Sequence, residues 1–139
     1  MSAFENAQKF FEACETGKGW QGCQCYVASS APFACQAGAL ADVTTVESYY
    51  EWMKGLVSGP LPDGHYTLHT SSWDAGTNAA MFSATFHGTH TGDGGPVPPT
   101  NKKANADYVY VLKMNLDGKV SDMTKIWNDG HTLAQLGWV

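Results

Sequence analysis

The chain predicts an α+β domain in which helices come first and a meander of long antiparallel strands comes last. Two early segments place apolar residues at helical spacing: Phe4, Ala7, Phe11 and Cys14, then Val46, Tyr49, Tyr50, Met53 and Val57. The second half holds four strand-like segments, 66–73, 80–91, 106–116 and 120–128. Turn signals separate them: Asp74-Ala75-Gly76-Thr77-Asn78, a Gly/Pro-rich stretch over 92–100, and Asp117-Gly118, which marks a tight hairpin. Strands of eight to twelve residues are long for globular proteins. Long twisted strands curl, and helices laid on the concave face leave a cone with a cavity.

The first helix has Ser2 as its cap and Gly17 as its end. Trp20, Cys23 and Val27 suggest a short second helix, and 29–36 reads as a strand. Thr44-Thr45-Val46-Glu47 predicts a capping box with Thr44 as the cap, and Gly59-Pro60 ends that helix. In 80–91, alternation turns Phe82, Ala84, Phe86, Gly88 and His90 inward. Tyr108, Tyr110, Leu112 and Met114 likewise share a face. A short helix over 132–136 closes the chain.

At 139 residues the length predicts one domain, 1–139, that buries roughly 70% of its unfolded surface and folds without disulfides or metal. Charged residues make up only 15%, which suggests a subunit interface or an apolar cavity. The net charge of -5, with eight basic residues and no basic cluster, argues against nucleic acid and anionic membranes as partners. Met1 to Asn6 has no signal-peptide pattern, and the uncharged stretch 19–41 is too polar to span a membrane, so a cytoplasmic location is expected. Cys14, Cys23, Cys25 and Cys35 are expected as reduced and mostly buried thiols, because Cys23-Gln24-Cys25 lacks structural-zinc spacing.

No cofactor is expected. His65 and His69 lie roughly 13 Å apart on a strand at about 3.3 Å per residue, too far to share one ion. His87 and His90 point to opposite faces. No serine sits in a Gly-x-Ser-x-Gly elbow, and Gly92-Asp93-Gly94-Gly95 leads into prolines instead of a phosphate-cradling helix. A general acid/base pocket remains, with one titratable group in an apolar cavity where desolvation raises a carboxyl pKa. Asp129 beside Trp127 fits, with His90 as a partner; on the residues alone the same Asp129 fits a cap or turn in Asn128-Asp129-Gly130 rather better. Trp20, Tyr50, Trp52 and Trp127 are candidates for the pocket wall or for ordinary core. Alternation puts Lys125 on the face of Trp127 and Asp129, which requires either a wet rim or interface at Lys125 or a bulge near the strand's end.

Phe86-His87-Gly88-Thr89-His90-Thr91-Gly92, Pro98-Pro99-Thr100, Asp117-Gly118-Lys119-Val120, Asp129 and Gln135-Leu136-Gly137 together resemble the SnoaL-like polyketide cyclase family of the NTF2-like superfamily. The resemblance is strongest over 86–137. It implies an NTF2-like (cystatin-like) cone, with N-terminal helices packed on a strongly curved, mainly antiparallel sheet. It also implies a pocket between sheet and helices, a homodimer through the outer sheet face, and a late aspartate acting as acid/base, here Asp129. His90 matches the histidine of the Gly-Thr-His motif as a pocket-lining residue. Where the family has Glu-x-Trp, this chain has Lys125-Ile126-Trp127, a reversal of charge.

The leading expectation from these readings is a cofactor-independent enzyme of the cyclase or isomerase type, acting on a small hydrophobic carbonyl compound. Asp129 and His90 are its expected catalytic residues, Trp20, Tyr50, Phe86, Tyr110 and Trp127 its substrate-binding ones. Tyr110 and His90 are expected as donors to an oxyanion, as in the arrangement of ketosteroid isomerase. The alternative is a non-catalytic dimeric binding or interaction domain.

Overall fold

The computed structural model describes residues 2–139. Helix α1 spans Ala3–Glu15, and its start follows from Ser2: the Ser2 hydroxyl accepts from Glu5 N while the Glu5 side chain reaches back, a full capping box. A short α2, Gly19–Cys23, runs into a 3-10 turn at Gln24–Tyr26. Strand β1 is only Phe33–Cys35, shorter than the 29–36 expected. The reason is local. Ala31 N closes a turn onto Ala28 O at 3.3 Å, and Ser30 takes φ 59°, so the chain is not extended before Pro32.

Helix α3 spans Val46–Ser58 and is capped one residue later than the sequence suggests. Thr45, not Thr44, is the cap, and Ser48, not Glu47, completes the box. Thr44 is already committed to the segment before β1, since Phe33 N donates to Thr44 O and Val46 N donates to Ala31 O, both at 2.9 Å. That pairing holds the chain extended through residue 44 and moves the helix start forward.

Strands β2 (His65–Asp74), β3 (Ala79–Thr89), β4 (Lys103–Met114) and β5 (Val120–Trp127) form the meander, and α4 (Asp129–Leu136) closes it. The sheet is mixed and open, in the order β1-β5-β4-β3-β2, with β1 parallel to β5 and every other pair antiparallel. Register shifts near His69 and Ser121 bend the long strands. The Asp117-Gly118 turn is held by Asn115 Oδ1, which accepts from Asp117 N and Lys119 N, each at 3.0 Å, with Gly118 at φ 73°. Leu116, expected inside the strand, is fully exposed in that loop. Helix α4 begins at Asp129, three residues earlier than expected, because the Asn128 side chain caps it by accepting from His131 N at 3.3 Å.

The core lies between the concave sheet face and helices α1 and α3. Phe82, Ala84, Tyr108, Tyr110, Leu112 and Met114 are buried as alternation requires. Phe11 stacks on Phe82 at 4.7 Å between centroids, and Tyr49 stacks on Phe33 at 4.6 Å. Cys14 and Cys23 are buried, Cys35 is half-buried and Cys25 is exposed; all four are free thiols. No helix among the described residues is long and apolar enough to cross a membrane.

Candidate active site

A cavity of about 300 Å³ opens between the sheet, α3, α4 and the segment around Pro96. Its walls are mainly apolar, including Trp52 and Leu56 from α3, Phe86 and Trp127 from the sheet, and Leu133 from α4. Three titratable side chains line it: Glu15, Lys125 and Tyr108. Each is buried, Glu15 at 1% exposure, Tyr108 at 4% and Lys125 at 6%.

Glu15 is the last residue of α1 and lies one turn beyond Phe11, so the face that packs Phe11 on the sheet carries the carboxyl inward. Lys125 sits in the interior of β5 opposite Tyr110, on the inward face. Two tyrosines connect them. Lys125 Nζ donates to Tyr49 Oη at 2.9 Å, Tyr49 Oη and Tyr110 Oη are hydrogen-bonded at 2.5 Å with either able to donate, and Tyr110 Oη donates to Glu15 Oε1. A carboxyl, two phenols and an amine thus form one unbroken chain in which a proton can pass either way.

The Lys125 ammonium is also walled by aromatic rings. Its Nζ lies 4.4 Å from the Trp127 ring centre, 5.1 Å from Tyr49, 5.3 Å from Tyr108 and 5.6 Å from Trp52. Burial dominates the electrostatics. It pushes the Glu15 carboxyl above its ordinary range, although Lys125 and the Tyr110 hydrogen bond pull the other way. It pushes the Lys125 amine below its ordinary range against the opposing pull of Glu15. The two groups therefore approach one another in proton affinity. Tyr108 Oη is buried without a hydrogen-bond partner in the cavity wall, and burial with the nearby Glu15 raises its pKa.

Solved structures with this architecture were found. IdmH of Streptomyces antibioticus, a proposed polyketide cyclase, matches with a TM-score of 0.77 at 17% identity over 99% of each chain. The fold is SnoaL-like. AclR of Streptomyces galilaeus, a proposed hydroxylase, matches the SnoaL-like fold of this chain at TM-score 0.76 and 17% identity, over 99% of this chain and 96% of its own. A proposed SnoaL-like polyketide cyclase from Jannaschia sp. CCS1 matches at TM-score 0.76 and 14% identity, over 96% and 90%. No protein-family model matches the chain, and no curated protein matches it.

Within the SnoaL-like fold, Phe86 and Trp127 line the cavity, and Tyr110 belongs to the hydrogen-bonded chain behind it. Trp20 and Tyr50 line a different groove with Ser29 and Glu47. Asp129 does not line the cavity. It occupies the first turn of α4, where its charge complements the helix N-terminus, and its Oδ2 accepts from Ala39 N at 2.8 Å. Ala39 is itself a cavity residue, so Asp129 fixes the rim from behind. The parity problem at Lys125 has a third solution. Lys125 is neither at a wet rim nor displaced by a bulge; register is continuous from Asp122 to Trp127, and Lys125 is buried on the inward face among the residues that line the cavity.

His90 is fully buried behind the cavity wall and does not line it. Its Nδ1 accepts from Trp138 Nε1 at 2.9 Å and Thr100 N at 3.3 Å. Thr100 Oγ1 donates to Leu136 O at 2.6 Å, so the group ties the 92–100 stretch to the end of α4. Trp138 and Leu136 line the cavity, so His90 braces its wall from behind. His90→Phe, which keeps an aromatic ring, though a larger one, but removes the acceptor, is expected to cost about 1–3 kcal/mol in urea denaturation. The indole N–H resonance of Trp138 is expected to shift in the same variant; an unmoved resonance would show that the histidine does not hold the wall.

Glu15 and Lys125 were not singled out as site residues in the sequence. Both carried a signal. Glu15 stands four residues after Phe11 on an apolar helix stripe, and at a helix C-terminus, where a negative charge is disfavoured. Lys125 stands between Met123 and Trp127 on the inward strand face.

Proposed function

We propose that this chain is a cofactor-independent enzyme of the cyclase or isomerase type, which moves a proton alpha to the carbonyl of a small hydrophobic compound. The observation that carries the reading is the set of buried polar groups, Glu15, Lys125 and Tyr108, facing one mainly apolar cavity. A carboxyl whose pKa is raised by burial is a stronger base than one in water. Glu15 takes the alpha proton. Lys125 and Tyr108 face the carbonyl oxygen and stabilise the enolate. The apolar walls select the substrate by burial, and water is excluded from the enolate. The neighbours, among them proposed polyketide cyclases and a proposed hydroxylase, support a small-molecule enzyme on this scaffold. The homodimer expected through the outer sheet face belongs to the same proposal; exposed Met81 and Ile126 on that face support it.

Hydrogen–deuterium exchange at the alpha carbon of 2-tetralone in D₂O, followed by NMR, tests the reading without the natural substrate. The wild-type protein is expected to accelerate exchange, and Glu15→Gln is expected to lose at least about a hundredfold of that acceleration. Asp129→Asn is expected to lose far less. No acceleration by the wild type would sink the enzyme reading. Loss in Asp129→Asn with retention in Glu15→Gln would return the acid/base role to Asp129.

A further inference from the structure

We propose that Lys125 is a covalent catalyst: its amine forms an imine with the carbonyl carbon of an aldehyde or ketone bound in the cavity. The inference deepens the proposed function and rests on it. Three features of the geometry lead to it. Lys125 is one of the residues that line the cavity, and its Nζ lies 4.4 Å from the ring centre of Trp127, another lining residue. Seven further lysines, Lys9, Lys18, Lys54, Lys102, Lys103, Lys113 and Lys119, are not buried; Lys125 alone among them is withdrawn from water. Its ammonium proton also has a built exit. In one state Lys125 donates to Tyr49, Tyr49 to Tyr110, and Tyr110 to an ionised Glu15; in the other Glu15 carries the proton and every bond in the chain reverses. The second state leaves a neutral amine in the cavity with a free lone pair once Tyr49 turns. Burial lowers the amine's proton affinity and raises the carboxyl's, which favours that second state relative to water. Desolvated lysines in apolar pockets are nucleophiles for this reason.

The step balances without any further reagent. The Nζ lone pair forms the N–C bond while the C=O π pair moves to oxygen, which gains the proton that nitrogen loses. The carbinolamine hydroxyl then takes a second proton, drawn from Glu15 through the tyrosines, and leaves as water while nitrogen's lone pair closes the iminium. The iminium acidifies the alpha C–H, whose proton passes to the Glu15 carboxylate and leaves an enamine. Reprotonation and addition of one water return the carbonyl compound and the free amine. A simple ion pair would polarise a carbonyl but form no bond to it. The aromatic rings around Nζ suit the cationic iminium as well as the ammonium.

Reductive trapping decides the matter. The full chain is incubated with benzaldehyde and sodium cyanoborohydride at pH 7, then digested and mapped by mass spectrometry. Benzaldehyde has no alpha hydrogen, so trapping reports imine formation alone, whereas exchange of 2-tetralone reports proton transfer. The expected result is a benzyl group on Lys125 at least about tenfold in excess over each exposed lysine. Lys125→Met is expected to lose that adduct and keep the background on the others. Labelling confined to exposed lysines, with Lys125 unmodified while 2-tetralone still exchanges, would overturn the imine and leave the acid/base reading standing. Failure of exchange alone, with Lys125 trapped, would instead remove the proton-transfer reading and keep an amine-reactive pocket.

Discussion

Lys125→Met is expected to lose about 3–5 kcal/mol of stability at pH 8 and to recover most of that loss at pH 5. The substitution keeps the length of the side chain and its packing among Trp52, Trp127 and Tyr108, so little of the loss comes from an empty space. What it removes is the only buried cation near Glu15 among the described residues. The folded-state pKa of Glu15 is raised by burial, and Lys125 opposes that rise. A carboxyl whose folded pKa is raised stabilises the fold fully below its unfolded value, about 4.3, and loses that contribution as pH climbs through the folded value. Without Lys125 the folded value rises further, so the window of falling stability extends upward toward neutral pH. Its slope approaches about 1.4 kcal/mol per pH unit where Glu15 is protonated when folded and ionised when unfolded.

Urea denaturation at pH 5 and pH 8 measures this directly. An equal loss at both pH values would make the effect one of packing, and the coupling of Glu15 with Lys125 would fall. The double variant Glu15→Gln with Lys125→Met is expected to be flat across the same range and to recover most of the loss, because no uncompensated buried charge is left behind.

The fold was legible in the sequence because its signals are periodic. Alternation in β3 and β4 named the buried face residue by residue, and two helical stripes named the sides of α1 and α3 that pack on it. Boundaries failed where a tertiary contact overrode a local signal: the pairing of Thr44 with Phe33 shifted a cap, and the turn at Ser30 shortened β1. The site was harder to read for a related reason. Asp129 drew attention as an acid beside Trp127, yet alternation ends when Asn128 caps α4, so Asp129 belongs to a helix start and not to the strand face. Lys125 and Glu15 break the apolar pattern of their own elements. A charge on an apolar face looks like an error in the pattern until its partner is found, and that partner lies 110 residues away in sequence, beyond any local spacing rule.

Phe11→Ala is expected to destabilise the protein by about 3–5 kcal/mol and to weaken the site as well. Phe11 is 2% exposed and holds α1 to the sheet through four rings: stacked on Phe82 at 4.7 Å, edge-on to Tyr66 and Tyr110 at 5.2 Å each, and 6.4 Å from Tyr108. Truncation leaves a void beneath Tyr110, the ring whose hydroxyl donates to Glu15. Since Glu15 sits one turn beyond Phe11 on α1, the void loosens both ends of that hydrogen bond at once. The urea midpoint is expected to fall with an unchanged slope, and 2-tetralone exchange is expected to slow under conditions where the variant remains folded. Phe11→Leu, which refills much of the volume, is expected to recover most of the stability and most of the exchange together. Recovery of stability without recovery of exchange would show that the aromatic edge on Tyr110, and not the filling of space, sets the geometry of the proton chain.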